Sequence, residues 1–138
     1  MKLSISKGLA AVLVGGALIL LSGLTLMAML LYAGVKTTMT ADDVSVISAS
    51  LMDLYRRKPV PPEAEVEEQI RALIQASVIG GSLNRDQKPV DRFGTAFRVR
   101  HTVDGPLHRV TAASAGPDGR FDTADDISRS ATWESPQK

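Results

Sequence analysis

Residues 8–35 carry no charged side chain: GLAAVLVGGALILLSGLTLMAMLLYAGV, with Lys7 before it and Lys36 after it. At the rise of an α-helix the run is about 42 Å long. The hydrocarbon core of a bilayer is about 30 Å thick, so the run crosses with some tilt or an extra turn outside. Backbone amides in lipid must bond within their own segment, which makes a helix the single-pass solution. Gly15, Gly16 and Gly23 are costly in a soluble helix and common in membrane ones. A cleaved signal peptide is the competing reading. Its apolar region is normally about 7–15 residues long and ends in a small-x-small site. Leu31-Tyr32-Ala33 fits that site poorly. The expectation is therefore an uncleaved transmembrane helix over 8–35. Residues 1–7 would lie in the cytoplasm, because Lys2 and Lys7 flank one side and Lys36 alone lies close on the other. Residues 36–138 would form an extracytoplasmic domain.

The remainder is long enough for one small domain. The whole chain has a formal net charge of +1 and only 4% aromatic residues. It has neither the basic excess nor the stacking surface of a nucleic-acid binder, so no nucleic-acid partner is expected. Cysteine is absent, which excludes disulfides and thiolate metal sites.

Past Lys36, Thr40 is a candidate helix cap, and Asp43 stands where a capping-box acid would. Val44, Ile47, Leu51, Leu54 and Tyr55 recur at helical spacing, continuous or nearly so with the membrane run. The helix should end before Pro59, and Pro59-Val60-Pro61-Pro62 reads as a stiff connector. Glu63, Glu65, Glu67 and Glu68 load the start of a second helix, where the macrodipole favours acids. Val66, Ile70, Leu73, Ile74 and Val78 are its expected apolar face, and Gly80-Gly81 its expected end. From Thr95 the pattern alternates: Phe97, Val99 and His101 on one side, Arg98 and Arg100 on the other. Val103-Asp104-Gly105-Pro106 reads as a turn into a second strand over residues 107–113. Two strands alone are marginal and need a helix face over them. The expected fold class is α+β: an N-terminal transmembrane helix, then helices packed on a short antiparallel sheet, with a C-terminal acidic loop.

That loop is SAGPDGRFDTADDI, residues 114–127, in which Asp118, Asp122, Asp125 and Asp126 crowd around Arg120. Water, a basic surface or a metal cation must relieve the repulsion. Calcium takes hard oxygen ligands from carboxylates and carbonyls. Asp118, Asp125 and Asp126 would supply side-chain oxygens if the loop folds back on itself, and Gly116, Pro117 and Gly119 permit the turns. An EF-hand is excluded, because Gly116 and Ser114 stand where it needs acids. A solvated Asp-Gly turn is the alternative on composition.

The loop resembles the C-terminal loop of the major pseudopilins of type II secretion systems. Their pattern runs S-x-G-P-D-G, a variable stretch, D-D-I and then a Trp. Here Ser114, Gly116, Pro117, Asp118 and Gly119 are followed by Asp125-Asp126-Ile127 and Trp133. The family's D-P-W-G-x-x-[YF] turn is similar to Asp91-Arg92-Phe93-Gly94-Thr95-Ala96-Phe97, with Arg for Pro and Phe for Trp. Met52-Asp53-Leu54-Tyr55-Arg56 resembles the end of the family's long N-terminal helix. The resemblance implies a structural calcium ion held by the side chains of Asp118, Asp125 and Asp126 and the backbone oxygens of Ala115 and Thr123. It implies a place in the bacterial inner membrane with the C-terminal domain in the periplasm. It also implies other secretion or pilus subunits as partners, with homo-oligomers among the assemblies. The chain departs from the family at its N-terminus. Prepilins open their helix with Phe-Thr-Leu-x-Glu, whereas this one opens Lys7-Gly8-Leu9-Ala10-Ala11, and its first glutamate is Glu63. The alternative expectation is a tethered module that binds a protein partner without polymerising.

His101 and His108 are the only histidines, and neither G-x-S-x-G, a phosphate loop nor H-E-x-x-H occurs. No nucleophile, base and orienting group can be assembled on paper, so no catalytic activity is expected.

Overall fold

A computed structural model describes residues 7–58 and 61–135, with side chains from residue 15 onward except at 17. The chain is α+β and divides into two compact units, Met1–Val35 and Lys36–Lys138. Helix α1 (Lys7–Arg57) enters both.

In the first unit the described side chains of α1 are apolar on all sides and exposed. Leu18, Leu20, Leu24, Met27 and Leu30 are each at least 60% exposed. A helix that is hydrophobic all round is at home in a core or in lipid. This one is long and apolar enough to cross a membrane, which makes it compatible with a single-pass anchor. Its hydroxyls are satisfied along the helix. Ser22 Oγ donates to Ile19 O (2.9 Å) and Thr25 Oγ1 to Leu21 O (2.6 Å), as an apolar solvent demands.

In the second unit the rest of α1 buries Val44, Ile47, Leu51 and Leu54 at spacings of three and four. Helix α2 (Glu63–Gln75) adds Val66 and Ile70. A two-residue ladder, β1 (Ser82–Leu83) with β2 (Pro89–Val90), follows. Then come β3 (Arg98–Asp104), β4 (Leu107–Ser114) and β5 (Ile127–Glu134), an antiparallel sheet in that order. The inner face gives Val110, Ala112, Ile127 and Trp133 to the core, with Phe97 and Val99 packed against it. Arg100 and Arg109 are exposed on the outer face.

Several expectations are corrected here. Thr40 is no cap: α1 runs through it, and its hydroxyl donates to Lys36 O one turn back (2.8 Å). Asp43 caps nothing on its own helix. Its carboxylate accepts Gly80 N–H (2.8 Å) and pairs with Arg92 Nε (2.7 Å). Helix α2 stops at Gln75, before the glycines. Ser77 takes φ 56°, and Ser77 N–H and Val78 N–H bond to Ile74 O and Leu73 O, closing the helix as a Schellman turn. Val78 is then 56% exposed and outside the apolar face. Gly80 and Gly81 serve close packing instead. A Cβ on Gly80 would lie 2.1 Å from the Arg92 guanidinium, and one on Gly81 2.3 Å from Val90 O.

The third strand was not expected. Along ISRSATWE, Ile127, Arg129, Ala131 and Trp133 share the inner side, and an arginine and an alanine among them blur the alternation. The acidic loop is consequently the β4–β5 connection, not a free C-terminal loop.

Candidate functional site: the acidic loop between β4 and β5

The loop is anchored at a buried carboxylate. Asp91 is 2% exposed and Ser114 fully buried. Asp91 Oδ1 accepts the N–H groups of Phe93 and Thr95, both at 2.9 Å, and this closes the turn before β3. Ser114 Oγ donates to Asp91 Oδ2 and accepts Gly116 N–H (3.1 Å). The last residue of β4 thus joins the Asp91–Phe97 turn to the loop.

Gly116 (φ 66°) and Gly119 (φ 68°) make the bend, and Gly119 N–H bonds to Gly116 O at 3.3 Å. A Cβ on Gly116 would lie 2.2 Å from Asp125 O, so only glycine lets the two arms of the loop meet. The acids are then spent on the loop's own donors. Asp118 Oδ1 accepts Arg120 N–H (2.7 Å), and Asp118 N–H donates to Asp125 Oδ2 (3.0 Å). Asp125 Oδ1 accepts the Thr123 hydroxyl (2.7 Å), and Asp126 Oδ2 accepts Asp122 N–H (2.7 Å). The Thr123 hydroxyl and the Asp118 N–H hold the Asp125 carboxyl below the usual carboxylate range, against a smaller opposing push from desolvation.

Asp122 has a counter-charge. Arg98 Nη1 lies 3.0 Å from its Oδ1, and the same guanidinium sits 3.9 Å from the centroid of the Phe121 ring. Between the loop and the outer sheet face lies a cleft of about 220 Å³, lined by Arg98, Arg100, Thr111, Phe121, Asp122 and Asp126.

The structure therefore brings Asp118 to Asp125, and Thr123 to Asp125. It does not gather Asp118, Asp125 and Asp126 around one point. Among the described residues no group of three or more His, Asp or Glu is placed to hold a metal ion. Thr123 engages the carboxylates through its hydroxyl, while its carbonyl receives Asp126 N–H (3.4 Å). Ala115 is fully buried. The donor set is all oxygen, which suits calcium chemically, and each carboxylate oxygen keeps a second lone pair. Its present geometry is that of a loop neutralised by N–H groups and an arginine.

A second cluster escaped sequence reasoning. His101 Nε2 and His108 Nδ1 are 3.2 Å apart on the inner face of the β3–β4 hairpin, both half-buried. Both rings stack on Trp133 of β5, with centroids 5.6 and 4.8 Å away, and Tyr55 of α1 lies 4.6 Å from His101. Burial, and then the neighbouring His108, push the His101 pKa down. Burial raises that of Tyr55. The turn prediction between the strands already implied that residues 101 and 108 face one way, and that was the signal available.

No protein-family model matches the chain, and neither a curated protein nor a solved structure is significantly similar to it.

Proposed function

We propose that this chain is a membrane-anchored, pseudopilin-like structural or accessory subunit of a type II secretion or pilus-like system. In this reading it sits in the bacterial inner membrane with residues 36–138 in the periplasm, and its β4–β5 loop is stabilised by calcium. One observation carries the reading. The residues that make up the S-x-G-P-D-G … D-D-I … W resemblance have distinct and interlocking tasks. Ser114 ties the loop to Asp91, Gly116 makes room for the Asp125 carbonyl, Ile127 and Trp133 enter the core, and Asp118 meets Asp125. Calcium would be taken by Asp118, Asp125 and Asp126, with carbonyl oxygens of Ala115 and Thr123. Binding would exchange some of the internal N–H donors of the loop for the cation. The role is architectural rather than catalytic, and the partners are other subunits of the machine, further copies of this chain included.

The tethered binding module is favoured by one specific feature. The apolar helix opens Lys7-Gly8-Leu9-Ala10-Ala11, without the glutamate that guides pilin registration. The mass and N-terminal sequence of the protein recovered from cell membranes separate the two. A start near Gly8 or Gly23 goes with pilin-type processing. An intact Met1, together with no self-cross-linking in the membrane, removes the polymerising subunit and leaves the module.

A further inference from the structure

The histidine pair lies apart from the acidic loop and takes no part in the function proposed above. Its two rings are nearly parallel (16°), with centroids 5.4 Å apart and facing nitrogens at 3.2 Å. Those distances describe an edge-to-edge imidazole pair sharing one proton. The indole of Trp133 lies almost parallel to both, at 4° and 19°. The register fixes the pairing. His108 is opposite Val103 on β3 and Trp133 on β5, and His101 is opposite Val110, so both imidazoles and the indole leave the same face of the sheet.

We propose that His101 and His108 form a two-imidazole binding site for a d-block cation, Cu²⁺ foremost, beside the indole of Trp133. Neutral imidazole nitrogen is a preferred ligand of these ions, and among the divalent ones Cu²⁺ binds such donors most strongly. Metal–nitrogen bonds are about 2.0–2.1 Å long, so two cis nitrogens on one ion stand about 2.8 Å apart in a square and about 3.4 Å in a tetrahedron. The observed 3.2 Å lies in that span. The backbone needs no change of register: the rings turn so that both lone pairs meet at the ion, and the proton between them moves to the other nitrogen of its own ring. Among the described residues no third His, Asp or Glu completes a cluster, so water fills the remaining positions. Both rings are half-buried, which leaves a route for the ion and its water.

Trp133 is the only tryptophan in the chain, and it touches both ligands. Its fluorescence is therefore a local probe. The full chain in detergent micelles is titrated with Cu²⁺ in the presence of excess Ca²⁺, added as a competitor for carboxylate oxygens. Quenching that saturates at one Cu²⁺ per chain is expected, and His101→Gln or His108→Gln should each weaken it by about tenfold. Quenching with the same midpoint in both variants, or none in the parent chain, overturns the site. Should the variants not fold, the parent chain still decides. Substoichiometric Cu²⁺ must broaden the imidazole proton signals of both histidines together. Broadening of one alone, or of neither, also overturns it.

Discussion

Asp91 collects three donors, from Phe93, Thr95 and Ser114, while almost completely shielded from water. A buried acceptor that loses its donor costs about 1–3 kcal/mol. Ser114→Ala removes one donor from Asp91 and strips Gly116 N–H of its acceptor. It should lower unfolding stability by about 1–3 kcal/mol in denaturant titrations, which is large for losing a single oxygen. Gly116 offers a controlled comparison with Gly105. Both have positive φ, 66° and 56°, but a Cβ has open space at Gly105 and meets Asp125 O at Gly116. Alanine at Gly105 should cost only the left-handed backbone, about 1–2 kcal/mol. Alanine at Gly116 should cost clearly more and displace the loop. Equal losses at the two positions would show that the arms of the loop do not meet as described.

At the level of elements, two devices hold the helices in place. The Asp43–Arg92 pair links α1 to the turn before β3, and through Gly80 N–H to the exit from α2. The Asp43 side chain is 7% exposed and that of Arg92 is 24%, so the pair is largely shielded from solvent. Removing one partner leaves a charge without its counter-ion. Asp43→Ala should therefore cost about 2–4 kcal/mol, and the double variant with Arg92→Ala less than the sum of the two singles. The second device carries strain. Ser77 occupies the left-handed position that ends α2, where glycine is the usual residue. Ser77→Gly should stabilise the protein by about 0.5–1 kcal/mol, and a lower melting temperature would argue against this helix end. The apolar faces of α1, α2, β3 and β4 were legible because a helix or strand repeats its own period over neighbouring residues. The end of α2 was misplaced because Gly80-Gly81 looks like a helix stop. The glycines answer to Arg92 and Val90, partners well outside the local window of the helix end.

For the whole molecule the question is how a loop with four aspartates stays folded. Part of the answer is internal: the N–H groups of Asp118, Arg120 and Asp122, the Thr123 hydroxyl and the Arg98 guanidinium. Calcium, if the proposed function holds, supplies the rest. An extracellular-type site of about 0.1–1 mM dissociation constant, at a few millimolar calcium, adds about 1–2 kcal/mol to stability. The full chain in detergent should melt several degrees higher in calcium than in chelator. Arg98→Ala removes the internal counter-charge of Asp122 and should widen that gap. Identical melting in calcium and in chelator would leave the loop to its own donors and remove calcium from the proposed function.

Sequence alone determined the apolar run, the faces of both helices, the alternation of β3 and β4, and the concentration of acids in one loop. Each of these is a property of adjacent residues. Tertiary structure decided the rest. Asp43 finds Arg92 across 49 positions, Ile127 to Glu134 becomes a strand because β4 offers an open edge, and His101 meets His108 only when the hairpin closes. It also decided how the acids of the loop are partnered: as acceptors for backbone N–H groups and a distant arginine, a choice that local composition, identical for a solvated turn and a metal loop, does not contain.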